Sequence, residues 1–277
     1  MSSTPEPTAA AARHVPRASA AALRSVRRLT RRKDRRATGE CLVEGRQAVR
    51  EALRYGTCHR LWVAEDQVEA MADLIDLATE HGVDSCTVSA ADLAGLCDAV
   101  TAQGVVAHAD SPEVALPEHW PQPPSLVVIC AQVRDPGNAG TIIRCADAFG
   151  ADAVILTGGS VELTNAKTIR ASVGSIFHLP VITGPDLPEA IAACREAGLQ
   201  VLAADGSSGP TLDDLTRAEL AAPTAWVLGN EAWGLPADDV ALADRSIGVP
   251  MYGLAESLNV STAAAICLFS TARAQRG

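Results

Sequence analysis

The chain has 277 residues, 48% of them hydrophobic and 20% charged, so it is long enough for two domains and can bury a substantial core. It contains no apolar run long enough to cross a membrane and no signal-peptide-like segment at its start, which predicts a cytoplasmic protein without a membrane partner. Its eight cysteines are scattered without a Cys-x-x-Cys pair, and no histidine has metal-ligand spacing, so we expect reduced thiols and no metal site.

The first 36 residues carry a charge opposite to that of the rest. Residues 1–36 hold ten Lys and Arg against Glu6 and Asp34, a net charge of +8, which leaves −18 for the remainder. A basic arm on an acidic body favours an acidic partner such as RNA, although a merely solvated tail has the same composition. Because residues 1–20 are rich in Ala, Pro, Ser and Thr, we expect 1–36 to be a flexible arm. Within it, Leu23, Val26 and Leu29 give the basic run a weak apolar stripe that is compatible with a helix.

Short strands and helices alternate through residues 37–108. The strands are predicted at CLVEG, RLWVA, CTVS and GVVAHA, and the helices at RQAVREALRYG, QVEAMADLIDLATEHG and AADLAGLC. This alternation predicts a small α/β domain. The Pro-rich stretch ADSPEVALPEHWPQPP, residues 109–124, indicates a semi-rigid linker.

A second α/β domain is predicted over residues 125–277, where the strands begin with SLVVICAQV and end near SIGVP. Strands that alternate with helices predict a mostly parallel sheet, and in such sheets ligands bind beyond the carboxyl ends of the strands. Polar clusters follow three predicted strands, at 134–144, 229–231 and 256–259. They form one site if those strand ends are neighbours.

The stretch VPMYGLAESLNVSTAAAICL, residues 249–268, combines a strand end, a loop and a helix start. Its small polar residues precede a run of small apolar ones, which is the pattern of a helix N-cap. A helix N-terminus favours anions and oxygen atoms, so the pattern suits a ligand crevice.

Other common chemistries lack their signatures. Gly158 and Gly159 follow a strand without a G-x-G-x-x-G pattern, and the sequence has neither a Walker-type phosphate loop nor a G-x-S-x-G elbow. His178, between Phe177 and Leu179, is expected to be structural.

The three polar clusters resemble the three signature motifs of the SpoU-like (TrmH-type) branch of the SPOUT RNA 2′-O-ribose methyltransferases. Motif one resembles RDPGNAGTIIRCADAFG, motif two VLGNEAWGLP and motif three VPMYGLAESLNVSTAAAI, in the family's order and spacing. The match covers about residues 125–273. Residues 39–108 are similar, more loosely, to the small substrate-binding domain that many rRNA enzymes of this family carry.

This resemblance implies an α/β domain with a deep trefoil knot, a homodimer formed through the knotted domain, and S-adenosylmethionine as methyl donor to a ribose 2′-hydroxyl. The implied catalytic residues are Asn138, Arg144, Glu231, Ser257 and Asn259. The implied cofactor-binding residues are Leu228, Gly229, Val249, Met251 and Leu258.

Arg144 is expected to hold the target phosphate and stabilise negative charge, since a guanidinium stays protonated and cannot serve as the base. Glu231 could accept a proton or hold the ribose, and the general base is left open. The resemblance favours 23S rRNA as substrate. Two alternatives stay open: a tRNA substrate, and a non-catalytic RNA-binding protein. The resemblance does not say which nucleotide is modified, or whether the modification is a housekeeping one or protects against an antibiotic. A nucleotide-dependent oxidoreductase is disfavoured by the missing glycine pattern.

Overall fold

The computed structural model describes residues 14–99, 101–206 and 209–277, which contain two β-sheets. The first sheet and the segment before it comprise α1 (Ala20–Arg27), α2 (Arg32–Thr38), β1 (Glu40–Glu44), α3 (Arg46–Tyr55), β2 (Cys58–Ala64), α4 (Ala72–Glu80), β3 (Asp84–Val88), α5 (Ala90–Ala94) and β4 (Val105–Asp110). The strand order is β1-β4-β2-β3, with β4 antiparallel to both neighbours and β3 parallel to β2. The small α/β unit expected from the sequence is therefore present.

The basic segment differs from the expected flexible arm. Residues 1–13 lie outside the described residues, but 14–36 form α1, a short 3-10 turn and α2. Val26 and Leu29 are each only 4% exposed and pack with Trp62 on the first sheet, because the weak apolar stripe of this segment meets an apolar face there. Nε and Nη2 of Arg35 each donate to a carboxylate oxygen of Glu162 at 2.8 Å. Glu162 lies in the loop after a strand of the second sheet, so this pair connects the basic segment to that part of the chain.

The second sheet and its helices comprise β5 (Glu113–Val114), β6 (Leu126–Cys130), α6 (Pro136–Ala148), β7 (Ala153–Leu156), α7 (Ala166–Ser172), β8 (Val181–Thr183), α8 (Leu187–Glu196), β9 (Gln200–Ala204), α9 (Arg217–Ala221), β10 (Thr224–Leu228), α10 (Ala237–Val240), β11 (Arg245–Ile247) and α11 (Val260–Arg276). The strand order is β11-β9-β10-β6-β7-β8-β5, and every adjacent pair is parallel. The expectation of a mostly parallel sheet is confirmed.

Helices cover both faces of the second sheet. Ile142 and Ile143 of α6 and Leu268 of α11 are fully buried in the cluster on one face. Ile191 and Cys194 of α8 belong to the cluster on the other face. Trp226 of the interior strand β10 is fully buried, and its Nε1 donates to Thr271 Oγ1 of α11 at 2.9 Å. This bond fixes the last helix against the sheet and with it the start of α11.

Several element boundaries differ from the sequence-based ones. The helix expected from residue 67 begins only at Ala72, because residues 65–67 form a 3-10 turn. The last strand ends at Ile247, before the predicted end at Pro250. The Pro-rich stretch contributes the edge strand β5, which pairs with β8. Within the described ranges, no helix is both long and apolar enough to span a membrane.

Candidate active site

Motifs one and two follow neighbouring strands. In the parallel pair of β6 and β10, Cys130 lies opposite Leu228, so the chain leaves both strands at the same edge of the sheet. β11 is separated from β10 by β9, and the segment after β11 must pass the end of β9 to reach the same place. The strand order thus brings the three polar clusters towards one edge.

The carboxylate of Glu231 joins motif two to motif one. Its Oε1 accepts hydrogen bonds from the backbone N–H of Asp135 at 3.0 Å and from Nδ2 of Asn138 at 3.2 Å. Its Oε2 accepts from the backbone N–H of Arg134 at 3.2 Å. Partial burial of this carboxylate acts to raise its pKa, but hydrogen bonds from backbone amides and Asn138 outweigh burial and lower the pKa below its usual value. Glu231 is therefore held ionised.

Asn138 extends this network to motif three. While its Nδ2 donates to Glu231, its Oδ1 accepts from Nδ2 of Asn259 at 3.0 Å. Asn259 is the N-cap of α11, and its Oδ1 accepts from the backbone N–H of Ser261 at 2.9 Å and from its hydroxyl at 2.6 Å. Three of the five predicted catalytic residues are therefore linked by side-chain hydrogen bonds.

Asp135 fixes the start of α6, on which Asn138 is carried. Its Oδ1 caps the helix by accepting from the backbone N–H of Asn138 at 2.9 Å, and its Oδ2 pairs with Nζ of Lys167 at 3.0 Å. Partial burial acts to raise the pKa of Asp135, but the Asn138 amide and the Lys167 ammonium outweigh it and lower the pKa. Lys167 lies in α7, which packs so closely on α6 that a Cβ at Gly140 would stand 2.4 Å from the carbonyl oxygen of Thr168.

Asn230 is a structural support that the sequence did not single out. It is 5% exposed, and its Nδ2 donates to the carbonyl oxygen of Gln132 at 2.7 Å, where the backbone has a φ of 55°. A positive φ in a non-glycine residue is strained, so this bond helps to hold the bend that leads into motif one. Gly229 has no room for a side chain, since a Cβ there would lie 2.6 Å from the carbonyl oxygen of Gly234.

Arg144 stands apart from the other predicted catalytic residues. It lies on the exposed face of α6, six residues after Asn138. Among the residues that the structure describes, it forms no hydrogen bond or ion pair. Within one chain the structure therefore does not bring Arg144 into the network.

A cavity of about 380 Å³ lies where the segments after β9, β10 and β11 meet the start of α11. All five predicted cofactor-binding residues line it: Leu228, Gly229, Val249, Met251 and Leu258. The predicted catalytic residue Ser257 also lines it, next to Glu256. Asp205 and Gly206 were missed as lining residues; their position after an apolar strand and beside a glycine was the available signal. The volume is that of a small-molecule site.

A separate cluster of possible metal ligands lies on the first sheet. One ligand atom each from Glu40, His59 and His108 lies within 4.8 Å of the other two, and His59 Nε2 lies 2.6 Å from Oδ1 of Asp110. No metal site was expected from the sequence, because these three residues are not close together in the chain. Pairing of β1, β4 and β2 brings together residues that are far apart in the chain.

His178 lies between α3, which packs on the first sheet, and α6, which packs on the second. This position agrees with the structural role expected from the sequence. Its Nδ1 is 2.8 Å from Asp147 Oδ2 of α6, and its Nε2 is 3.3 Å from Glu51 Oε2 of α3. Tyr55 packs edge-on against its ring. These contacts connect the two parts of the chain away from the cavity.

The sequence matches two family descriptions: SpoU rRNA Methylase family over residues 125–269 and RNA 2′-O ribose methyltransferase substrate binding over residues 42–115. The chain belongs to the SpoU rRNA methylase family. The family resemblance, the α/β fold class and the methyltransferase class expected from the motifs are confirmed.

The relatives of this SpoU methylase match it over most of their length. A 23S rRNA (guanosine(2553)-2′-O)-methyltransferase, RlmP, of Bacillus subtilis is 32% identical over 88% of this chain and 92% of its own. The crystal structure of an AdoMet-bound rRNA methyltransferase from Sinorhizobium meliloti superposes with a TM-score of 0.79 at 30% identity, covering 94% of this chain and 97% of that one. The SpoU methyltransferase AviRb from Streptomyces viridochromogenes, in complex with AdoMet, has a TM-score of 0.74 at 26% identity, covering 91% and 96%.

Proposed function

We propose that this protein transfers a methyl group from S-adenosylmethionine to a ribose 2′-hydroxyl of 23S rRNA. The observation that carries the proposal is the hydrogen-bonded series Glu231–Asn138–Asn259 beside a cavity lined by all five expected cofactor residues. The relatives named as rRNA 2′-O-methyltransferases support the choice of RNA and of ribose.

The cavity suits S-adenosylmethionine chemically. Leu228, Val249 and Leu258 provide apolar walls of the kind that accept an adenine ring. Asp205 and Glu256 also line the cavity, and a carboxylate there can accept from ribose hydroxyls or face a positively charged sulfonium. When bound, S-adenosylmethionine supplies an electrophilic methyl group.

The residues around the cavity then have to orient the 2′-hydroxyl, take up its proton and stabilise charge on its oxygen. Ser257 lines the cavity, and Asn259 lies two residues further on at the N-terminus of α11. That helix end stabilises negative charge on an approaching oxygen. We assign both residues to orienting the 2′-hydroxyl.

We propose that Glu231 organises the site rather than acting as its base. Its lowered pKa makes it a weak proton acceptor, and its two oxygens already accept from three donors of motif one. It therefore holds Asn138 and the start of α6 in place. The identity of the base is left to the pH profile of the reaction.

We propose that the protein works as a homodimer in which Arg144 of each chain serves the neighbouring cavity. The exposed position of Arg144 supports this, as do large apolar side chains that one chain leaves exposed after the second sheet, including Phe269 at 49% and Leu254 at 104%. Arg144 would hold the target phosphate there and offset negative charge. Sedimentation at several concentrations tests the dimer, and a monomer that retains full activity would contradict it.

We further propose the trefoil knot and the domain division that the resemblance implies. The segments after β10 and β11 and the start of α11 all meet at one cavity, which agrees with threading of the chain there. The proposed parts are a basic segment 1–36, a substrate-binding domain 37–108, a linker 109–124 and a catalytic domain 125–277. The eight free cysteines agree with a cytoplasmic protein.

The proposed function is tested first in cells. Riboses methylated in ribosomes are mapped in cells with and without the protein, and one 23S rRNA position should depend on it; a mark found only in tRNA would redirect the proposal. Antibiotic susceptibility of the same two strains decides whether the mark protects the ribosome.

Calorimetry with S-adenosylmethionine tests the proposed function on the purified protein. Ala263 lines the cavity and Thr262 beside it is exposed, so Ala263→Leu should weaken binding at least tenfold while Thr262→Leu should not. If the unaltered protein binds no S-adenosylmethionine, it is an RNA-binding protein without this activity.

A further inference from the structure

An exposed indole ring stands at the rim of the site. Trp233 lies in the loop after β10, two residues beyond Glu231, and is 50% exposed. Cζ of Arg134 lies 4.9 Å from the centroid of this ring, within the range of a cation–π contact. A large aromatic ring buries much apolar area when it is covered, so leaving half of it in solvent forgoes stabilisation.

Both side chains are held at their bases. The backbone N–H of Arg134 donates to Glu231 Oε2 at 3.2 Å, and its Nη2 lies 3.4 Å from Oε1 of Gln132. Trp233 belongs to a turn closed by two backbone hydrogen bonds of 2.9 Å between Asn230 and Gly234. The pair is thus fixed relative to the carboxylate that organises the site.

The chemistry of the pair fits a nucleobase. An indole and a guanidinium side by side present flat surfaces, and RNA-binding proteins stack unpaired bases on such rings and on arginine planes. Asn230 and Gly234, which close the turn, line the cavity, but Trp233 does not. The ring therefore stands outside the cavity, in the turn whose two ends form part of the cavity wall.

We propose that Trp233 and Arg134 form a stacking platform for the base of the nucleotide whose ribose is methylated. The inference rests on the proposed function and names how that site captures its substrate. Taking this nucleotide out of the RNA stack costs free energy, and stacking on the platform offsets that cost. Stacking tolerates any base, so the platform contributes affinity and leaves base identity to other contacts.

The experiment measures whether the contribution of Trp233 to RNA affinity depends on one particular base. Kd is measured for the full-length protein and for Trp233→Ala with the 23S rRNA fragment that the protein binds most tightly, and then with fragments that carry one abasic ribose at each position in turn. Trp233→Ala should weaken binding of the intact fragment about 5- to 150-fold. It should weaken binding far less when the abasic ribose is the one that accepts the methyl group. Trp233→Phe should recover most of the affinity.

Fluorescence gives an independent readout. Trp62 and Trp226 are buried, so quenching on RNA binding should come mainly from Trp233 and should disappear in Trp233→Phe. Trp120→Phe is the matched control, because Trp120 is partly buried against the α8 side of the sheet and donates to the carbonyl oxygen of Ala193. That variant should keep both the quenching and the affinity.

The platform would be overturned if Trp233→Ala lost the same affinity for intact RNA and for RNA that is abasic at the methylated position. It would also be overturned if the loss of affinity depended on a different base. A Trp233→Ala variant that dissociates the oligomer, which would make the ring a subunit contact, or one that loses affinity for S-adenosylmethionine, would overturn it too. Because binding is the readout, the two ideas fail separately. Coupling to one base without any methyl transfer contradicts the proposed function and leaves the ring as a site that binds a base. Transfer without coupling contradicts only the platform.

Discussion

Asn138 and Glu231 are joined by a hydrogen bond of 3.2 Å although 93 positions separate them in the chain. The same amide group of Asn138 accepts from Asn259 at 3.0 Å through its oxygen. One side chain therefore links the segments that follow three different strands. Neither aspartate nor alanine at position 138 could keep both bonds. An ionised aspartate has no N–H to donate, and alanine has neither a donor nor an acceptor in its side chain.

Asn138→Ala should lower methyl transfer to RNA by about 10²-fold, the size of effect seen when one orienting donor is removed from an active site. Affinity for S-adenosylmethionine should change little, because Asn138 does not line the cavity. Single-turnover methylation and calorimetry measure the two quantities.

Gln275→Ala is the control for this substitution. It also removes a side-chain amide, one that donates to the carbonyl oxygens of Ser125 and Ala222 at the far end of α11. It should cost stability without a comparable loss of transfer. If both variants lose transfer equally, Asn138 acts through folding alone.

The sequence predicted the strand–helix alternation and the polar clusters well, because each depends on residues close together in the chain. Register between β6 and β10 is a long-range property, so the Glu231–Asn138 bond could only be anticipated as a juxtaposition of strand ends. The packing of residues 14–36 was missed because their apolar stripe is weak and their charge high. The ligand-like cluster at Glu40, His59 and His108 was missed for the same long-range reason.

Arg144→Ala should leave the melting temperature almost unchanged and remove most methyl transfer. Arg144 is exposed and makes no hydrogen bond or ion pair with the rest of the described chain, so its loss costs little folding free energy. A clamp on a phosphate should instead show as a KM for RNA that rises about tenfold or more. Differential scanning calorimetry and steady-state kinetics provide the two values.

Arg144→Lys and Arg217→Ala complete this test. Lysine keeps the charge but loses the planar fork of donors, so it should recover only part of the activity. Arg217 is an exposed arginine of α9 and should be dispensable. Full activity in Arg144→Ala would exclude the clamp.

The effect of Glu231→Gln on stability should depend on pH. Because the folded state lowers the pKa of Glu231, its ionised form stabilises the fold above the unfolded value of about 4.3, and this contribution is lost as the pH falls through the folded pKa. The variant should therefore melt below the unaltered protein at pH 7, and the difference should close in acid. A difference that grows in acid would mean that the pKa is raised.

Glu219→Gln is the control that separates an effect on stability from an effect on methyl transfer. Hydrogen bonds from Thr216 and Arg245 lower the pKa of Glu219 to about 2, and the residue lies in α9, outside the network of Glu231. It should show the same sign of pH dependence, with stabilisation persisting to lower pH, yet keep methyl transfer. Loss of transfer in Glu231→Gln alone would identify Glu231 as part of the site.

The basic segment should be tested by neutralising charges, because deleting it would remove the buried Val26 and Leu29 and uncover Trp62, with which they pack. Four of its exposed cations make no ion pair within the described part of the chain: Arg24, Arg31, Lys33 and Arg36. Changing all four to Gln should weaken RNA binding and reduce the slope of log K against log salt by roughly 0.7 to 0.9 for each phosphate that the segment no longer neutralises. Filter binding at several salt concentrations measures the slope, with Arg217→Gln as control. An unchanged slope would mean that RNA does not contact this segment.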